Sequence, residues 1–478
     1  MSNSKLSPSQ VDRVDVERFG SFIAYSSWLA QAFGLAAAAA WAYFVGVELF
    51  APLVVYYAVL SPFRGLLQRG LDPLTYSGRP PDAQRQAALS GQQLLIGIAA
   101  AVVLLATSGL LARYFDLPAL RGALWLGASV LPLVGLADLQ INLMTRDYSG
   151  KPLAVIRLAT AFVQQASALA VWYLFADPAA LAYGAACAQG LTALLVVLYV
   201  AGRAGISIQF SHFGADWRLR LYAYADSLVY PMTGNMDVYL LGPTVSTSAL
   251  GAYGLLRRGA FVVRDVAARP LEFLALAGLS SHNHDQSVLR ERWSSLVQLI
   301  VVVLGFLAVP GSAYGFLLVA TVLPEVLTVT NLVVPLSVFT ACTAVYLLTN
   351  VLAVVRAAVV RLLVMSVGAV LALYVGMSWA LRTSEVLSLW TGAGILTVVI
   401  VIAGAVYLPQ QNTLPAWRAL VTKNSVGILL LCAFCVTAAF AGLLQPLSIG
   451  LAVGCFGYGA VRFGQVRQEL LASQVRTV

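Results

Sequence analysis

The stretch that decides the fold is residues 235–272, NMDVYLLGPTVSTSALGAYGLLRRGAFVVRDVAARPLE. Its pattern predicts the end of one membrane helix, a turn from Pro243 to Ser248, and a second helix that carries four arginines through an apolar segment. Charge inside a bilayer is costly, so ionisable residues there usually face a water-filled cavity or a partner rather than lipid. This hairpin is therefore the first place to look for function.

The composition indicates a membrane protein along its whole length. The chain is 60% hydrophobic and 10% charged, with a mean hydropathy of +0.84, whereas soluble proteins carry about 25% charged residues. Residues 1–19 are polar and no apolar signal core lies close behind a basic start, so the first apolar segment is predicted to be a retained spanning helix. The net charge of +9 resides mostly in loops, which excludes nucleic acid as the partner.

A requirement of about 20 apolar residues per span predicts about 14 membrane helices. They are expected at 20–45, 49–68, 90–112, 121–143, 153–175, 178–201, 219–242, 248–276, 293–318, 328–350, 355–381, 386–408, 425–444 and 446–463. The predicted fold is therefore an all-α polytopic membrane protein with two pseudo-symmetric six-helix lobes. The lobes are expected at 20–203 and 204–410, between a cytoplasmic segment at 1–19 and, at 411–478, two more helices with a cytoplasmic tail.

Basic residues in the loops predict the orientation. With the N-terminus placed inside, the loops that face inward hold most of the 29 Lys and Arg residues. The outward loops hold only Arg113, Arg121 and Arg382, as the preference of basic residues for cytoplasmic loops requires. We therefore expect both termini in the cytoplasm. The outward loops are too short for a folded extracytoplasmic domain.

The two lobes also share a sequence pattern. Placing residues 50–74 over 250–274 aligns Arg64 with Arg264 and Arg69 with Arg269. Related halves around a central site are typical of secondary transporters. The alignment predicts that the chain is built twice.

A run of motifs around the hairpin carries a family resemblance. It consists of Asp237, Leu240-Leu241-Gly242 and Leu250-Gly251-Ala252-Tyr253. Together with segment 48–74 and the helix spacing, it resembles the polysaccharide-export branch of the multidrug/oligosaccharidyl-lipid/polysaccharide exporter superfamily, the Wzx-like oligosaccharide flippases. The adjacent pair Arg257-Arg258 is more basic than this helix usually is in that family.

The resemblance implies a transporter and not an enzyme. It implies a flippase of the cytoplasmic (inner) membrane that moves a polyprenyl-diphosphate-linked oligosaccharide across the bilayer by alternating access, for cell-surface polysaccharide biosynthesis. The partners it implies are the lipid-linked oligosaccharide, membrane lipids and the polymerase or ligase machinery of polysaccharide assembly. We expect a monomer with no bound cofactor. Whether H⁺ or Na⁺ drives transport is left open.

The depth of Arg257 makes it the leading site residue. It lies about 14 Å from the outer end of its helix at about 1.5 Å per residue, near the middle of a hydrocarbon core about 30 Å thick. The spacing places Arg257 on one helical face with Tyr253 and Arg264 and leaves it without a local carboxylate. An unpaired guanidinium suits a diphosphate because its planar fork binds phosphate oxygens bidentately. Pairing of Arg257 with Asp226 or Asp237 is the main alternative.

The predicted substrate-binding residues are Arg257, Arg258, Arg264, Arg64, Arg69 and Tyr253. Arg64 and Arg69 would face the hairpin across the pseudo-twofold axis if the repeat is real, and the other interpretation of Arg64 is a marker of the cytoplasmic membrane edge. The acidic residues Asp138, Asp226 and Asp237 are assigned coupling or structural roles. Asp138 is the candidate for ion coupling, and Asp237 for an arginine partner or a cap.

Three other functions remain open. A drug or metabolite:cation antiporter of the same superfamily would need a buried carboxylate, and helix one has none between Arg18 and Val47. A membrane polymerase or ligase of polysaccharide assembly typically has a sizeable basic outer loop, which this chain lacks. A non-transporting scaffold is the third alternative.

Overall fold

The computed structural model describes residues 8–68, 70–76, 82–147, 149–203, 205–210, 217–262, 359–382, 424–440 and 446–476, with isolated positions between 298 and 351. All regular structure in these ranges is helical. The helices are α1 (Pro8–Phe44), α2 (Phe50–Gln68), α3 (Asp72–Tyr76), α4 (Ala83–Tyr114), α5 (Leu120–Arg146), α6 (Gly150–Phe175), α7 (Ala180–Ala201), α8 (Trp217–Thr233), α9 (Met236–Leu241), α10 (247–262), α11 (Val359–Arg382), α12 (Ser425–Phe440) and α13 (Pro446–Arg476).

The helices confirm the predicted all-α membrane architecture over the described residues. Seven of them are long and apolar enough to cross a membrane, and these correspond to the first six predicted helices and the last. α11 and α12 coincide with the helices predicted at 355–381 and 425–444. The helices predicted at 293–318, 328–350 and 386–408 lie wholly or mostly outside the described residues. The total of about 14, the orientation and the lobe boundaries stay predictions.

α2 is the central helix of the N-terminal lobe, which we define as α1–α7. It packs against α5 and α7. In its apolar membrane-spanning stretch 67% of the residues are buried, whereas the corresponding share in α6 is 22%. The outer helices instead expose large apolar side chains such as Leu110, Phe162 and Tyr173. In a bilayer such faces contact lipid, because lipid tails are as apolar as the side chains.

α2 also joins the N-terminal lobe to α8 and α9. A Cβ on Gly65 would lie 2.2 Å from the Ser227 carbonyl oxygen, so only glycine permits this approach of α2 to α8. Pro62 has no N–H for the Ala58 carbonyl, and that oxygen instead accepts a 2.5 Å hydrogen bond from the Tyr239 hydroxyl of α9. The contact between α2 and α9 therefore uses the Ala58 carbonyl, which in a regular helix would accept a hydrogen bond from the backbone four residues later.

The prediction of one continuous helix over 219–242 is wrong. α8 ends at Thr233 and α9 begins at Met236, with Gly234 and Asn235 in a turn between them. Pro231 weakens the last turn of α8 because it cannot donate to the Ser227 carbonyl. The predicted turn after this helix is confirmed, since residues 242–246 connect α9 to α10.

Candidate functional site

Arg257 lies at the break between α8 and α9. Its Nη2 donates hydrogen bonds to the Gly234 carbonyl and, at 2.9 Å, to Asn235 Oδ1. Its Nε lies 2.8 Å from Asp237 Oδ2, and the same carboxylate accepts a hydrogen bond from the Tyr253 hydroxyl. The guanidinium therefore binds a backbone carbonyl that the break has removed from the helical hydrogen-bond pattern.

The expectation that Arg257 lacks a carboxylate partner is wrong. The side chains of Arg257 and Asp237 are only 7% and 1% exposed, and the Arg257 guanidinium also stacks 4.5 Å from the centre of the Phe261 ring. Helical spacing within α10 cannot reveal this partner, because Asp237 lies on α9. The turn at residues 242–246 brings α9 next to α10. The alternative of pairing with Asp237 is confirmed, and a role of Arg257 and Tyr253 in binding substrate stays a prediction.

Asn235 extends this cluster to the N-terminal lobe. Its Oδ1 accepts from Arg257, while its Nδ2 donates to Ser61 Oγ of α2 at 2.9 Å and to the Pro231 carbonyl at 2.8 Å. One amide thus bridges α10, α8 and α2. We call Asn235, Asp237, Tyr253 and Arg257 the junction.

Arg258 has a different environment although it is the next residue. Its Nη2 lies 3.2 Å from where a Cβ on Gly34 of α1 would be, and its charge interacts with the Tyr57 hydroxyl of α2. It is half-buried and forms no ion pair with any residue in the described ranges. Arg258 therefore carries positive charge from α10 towards α1 and α2 of the N-terminal lobe.

A cavity of ≈ 240 Å³, lined by both polar and apolar side chains, lies within the N-terminal lobe. Four helices line it: α2 with Tyr57 and Arg64, α5 with Asp138, α6 with Thr160 and Gln164, and α7 with Gln189 and Thr192. The remaining lining residues are small or apolar side chains of α5 and α7: Val134, Ala137, Ile141, Ala185, Ala188 and Ala193. We call this space the lobe cavity.

Buried polar atoms around the lobe cavity are left without partners. Within the described residues, Arg64 Nε, Asp138 Oδ2 and Gln189 Nε2 make no hydrogen bond. Arg64 and Asp138 are close enough for their charges to interact, but no ion pair within contact distance joins them. Unsatisfied buried polar atoms are rare in native proteins and indicate water or a ligand when they share a cavity.

The other predicted site residues have separate positions. Asp226 accepts a 2.5 Å hydrogen bond from Ser366 Oγ of α11. Arg64 lines the lobe cavity, and its position opposite the hairpin across a pseudo-twofold axis stays a prediction. Arg264 and Arg69 lie outside the described residues, as does Arg269 in the proposed repeat.

Sequence reasoning did not select Tyr57, Thr160, Gln189, Thr192 or Ser366. The sequence did contain a signal, which is the spacing of polar residues within single helices. Tyr57 and Arg64 are seven residues apart, Thr160 and Gln164 are four apart, and Gln189 and Thr192 are three apart. Each of these spacings places two polar groups on one face of a helix. Which of the faces meet could not be predicted, since that depends on how four separate helices pack.

Comparison with known proteins agrees with this architecture. Residues 44–332, more than half of the chain, match the family described as polysaccharide biosynthesis protein. The structure is similar to the lipid II flippase MurJ in its inward closed conformation, with a TM-score of 0.66, 10% identity, and coverage of 93% of this chain and 98% of that one. No curated protein matches the chain by sequence.

Two further transporters are also similar in structure. The MATE multidrug transporter DinF-BH, solved as a complex with a small molecule, has a TM-score of 0.62, 14% identity, and coverage of 86% of this chain and 98% of that one. The eukaryotic MATE transporter AtDTX14 has a TM-score of 0.54, 12% identity, and coverage of 93% and 99%. At these identities the likeness concerns the fold, which is that of membrane transporters and flippases.

Proposed function

The chain belongs to the polysaccharide biosynthesis protein family, and from that premise we propose that it is a flippase for a polyprenyl-diphosphate-linked oligosaccharide. It acts in the cytoplasmic membrane and moves its substrate to the outer leaflet by alternating access. The multi-pass helical fold and the similarity to lipid II flippase MurJ support this proposal. The substrate must then be recognised by charges buried at membrane depth.

Arg258 is the observation that carries the proposal. Its guanidinium lies between α10 and the N-terminal lobe with no carboxylate partner in the described ranges. A cation at this depth is costly unless it faces water or a counter-charge. A diphosphate supplies that counter-charge, and guanidinium is the side chain that best matches its oxygens.

Arg64 is the second cation in position for this substrate. Arg64 and Tyr57 lie on one face of α2, about 10 Å apart along the axis at about 1.5 Å per residue. Arg258 interacts with Tyr57, and Tyr57 lines the lobe cavity together with Arg64. We accordingly assign the diphosphate to Arg258, with Arg64 attracting negative charge from a position about 10 Å beyond Tyr57 along α2.

The same charges argue against the antiporter alternative. A drug that is an organic cation would approach Arg258 and Arg64 against their repulsion, which is weakly screened in a low-dielectric environment. Asp138 offsets the charge of Arg64, but Arg258 has no such neighbour in the described part of the chain. An anionic lipid carrier fits this balance of charge better.

The test is translocation in proteoliposomes. The purified protein is reconstituted with a polyprenyl-diphosphate-linked oligosaccharide, and glycan that reaches the opposite leaflet is measured with an impermeant lectin. We expect wild type to translocate the glycan and Arg258→Gln and Arg64→Gln to lower the rate at least about tenfold, the loss that follows from about 1.4 kcal/mol. Arg113→Gln is the matched control, because Arg113 is exposed at the end of α4.

Two outcomes would contradict the proposal. One is translocation by both arginine variants at the rate of wild type and Arg113→Gln. The other is that wild type transports a cationic dye but not the lipid-linked glycan, which would favour the antiporter.

A further inference from the structure

The lobe cavity has the features of a built binding site that the diphosphate alone does not explain. It contains two unpartnered donors, Arg64 Nε and Gln189 Nε2, and one unpartnered acceptor, Asp138 Oδ2, among the described residues. Asp138 is 3% exposed and Gln189 8%. These groups come from three helices, so their shared position is a property of the packed lobe.

The remaining polar groups of the cavity are held in fixed orientations. Gln164 Nε2 donates to the Tyr57 hydroxyl at 3.0 Å, and the hydroxyls of Thr160 and Thr192 lie 2.7 Å apart. Gln189 Oε1 accepts from Tyr56 at 3.5 Å, which leaves its NH₂ group towards the cavity. Hydroxyls and amides at defined positions recognise ligands rich in hydroxyl groups, since both can donate and accept.

The volume limits the size of that ligand. The cavity measures ≈ 240 Å³, which is below the roughly 300 Å³ at which pockets for drug-sized ligands begin. It would hold about eight waters at about 30 Å³ each, or one sugar ring. An oligosaccharide cannot enter as a whole.

The charges of Arg64 and Asp138 limit the chemistry of the ligand. Arg64 and Asp138 interact with each other across the cavity wall, so the site is close to neutral when both are ionised. A charged ligand would face a residue of like charge as well as one of opposite charge, because both Arg64 and Asp138 line the cavity. An uncharged polyol satisfies the three unpartnered atoms without adding charge.

We infer that the lobe cavity binds the uncharged sugar residue attached directly to the diphosphate of the lipid carrier. This inference rests on the proposed function, because it assigns the diphosphate to Arg258 and the adjoining sugar to the space beyond Tyr57. Tyr57 relates the two regions, because it lines the cavity and lies within electrostatic range of Arg258. The N-terminal lobe thus recognises the first sugar, while the rest of the glycan remains outside the lobe cavity.

The test separates the sugar from the diphosphate. Binding to the protein in nanodiscs is measured for undecaprenyl diphosphate and for the same lipid carrying one glucose, galactose or N-acetylglucosamine. We expect at least one of the three sugars to tighten binding about tenfold, equivalent to about 1.4 kcal/mol. Binding of the bare lipid diphosphate is the measure of the proposed function.

Two variants address the cavity itself. Ala188→Phe fills the cavity, because Ala188 is a buried lining residue. Gln189→Leu keeps the side-chain volume but removes the amide, whose Nε2 is unpartnered. Both should abolish the sugar-dependent gain and leave affinity for undecaprenyl diphosphate within about twofold of wild type. Leu194→Phe is the matched control on the exposed face of the same helix and should retain the gain.

The outcomes are distinct. The inference is overturned if none of the three sugars improves binding over the bare lipid, which is the result expected of a cavity filled only with water. It is also overturned if Ala188→Phe and Gln189→Leu retain the full gain. If undecaprenyl diphosphate itself does not bind, the proposed function fails, and the inference fails with it.

Discussion

The junction holds a buried arginine and a buried aspartate, the lobe cavity holds a half-buried arginine and a buried aspartate, and the two regions satisfy these charges in different ways. At the junction, the Arg257 guanidinium contacts Asp237, the Gly234 carbonyl and Asn235. Around the lobe cavity, Arg64 Nε and Asp138 Oδ2 have no hydrogen-bond partner among the described residues. The charges of the junction form an ion pair without a ligand, although Asp237 Oδ1 accepts no hydrogen bond, whereas Arg64 and Asp138 form no ion pair with described residues.

The difference teaches where to look for specificity in this protein. A buried pair that satisfies itself contributes to the architecture, because removing one partner leaves an uncompensated charge. Polar groups that face a cavity exchange water for ligand at little cost. We therefore expect substitutions at the junction to act first on folding, and substitutions in the cavity to act first on transport.

The largest effect on stability is expected from Asp237→Leu. The variant leaves the Arg257 guanidinium buried without its carboxylate, a loss of about 3–5 kcal/mol. Adding Arg257→Met should restore much of that stability, because an apolar pair replaces the charges. Thermal unfolding of the detergent-purified protein measures both. If Asp237→Leu alone is as stable as wild type, the ion pair does not stabilise the junction.

A smaller effect is expected from Asn235→Ala. The change removes the amide that bridges Arg257 and Ser61, and leaving such buried groups unsatisfied costs about 1–3 kcal/mol. Asn235→Asp is the informative companion, because it keeps an acceptor for Arg257 but loses the donor to Ser61. In detergent, the unfolding temperature of wild type should be higher than that of Asn235→Asp, which in turn should be higher than that of Asn235→Ala. If Ala unfolds at the wild-type temperature, the bridge between α2 and α10 carries no stability.

The smallest effect on stability is expected from Asp138→Asn. The amide keeps the shape of the carboxyl, and the cavity provides space for water, so the unfolding temperature should remain near that of wild type. Asp138 also remains the predicted site of H⁺ or Na⁺ coupling. If that prediction holds, the variant loses the dependence of transport on a pH or sodium gradient, measured in proteoliposomes. A loss of stability as large as that of Asp237→Leu would remove the contrast between the two regions.

The sequence predicted the helices better than their contacts. The six membrane-spanning helices of the N-terminal lobe follow from runs of apolar residues long enough to span a bilayer, and the turn after α9 follows from its small residues and Pro243. The break at Gly234 and Asn235 was not predicted, because the apolar residues on its two sides are together numerous enough for one membrane span. Pro231 was the local signal, yet proline is tolerated inside membrane helices when neighbours satisfy the freed backbone groups.

The predicted site shows the same limit. Arg257, Arg258 and Arg64 were selected because charge stands out in an apolar run, and that reasoning needs only composition and depth. It could not separate Arg257, which pairs with Asp237, from Arg258, which extends to Gly34 and Tyr57. These adjacent residues point about 100° apart on a helix of about 3.6 residues per turn, so their neighbours belong to different helices.

The sequence by itself determined that the chain is a helical membrane protein with arginines buried in a hairpin, because hydrophobic length and the cost of buried charge are local properties. Only the tertiary structure decided which charges are neutralised and which remain available. Asp237 reaches Arg257 through a chain turn, and the packing of α2 against α5 brings Arg64 close enough for its charge to act on Asp138 without contact. Pairing of charges depends on distances between helices, and a linear pattern does not contain those distances.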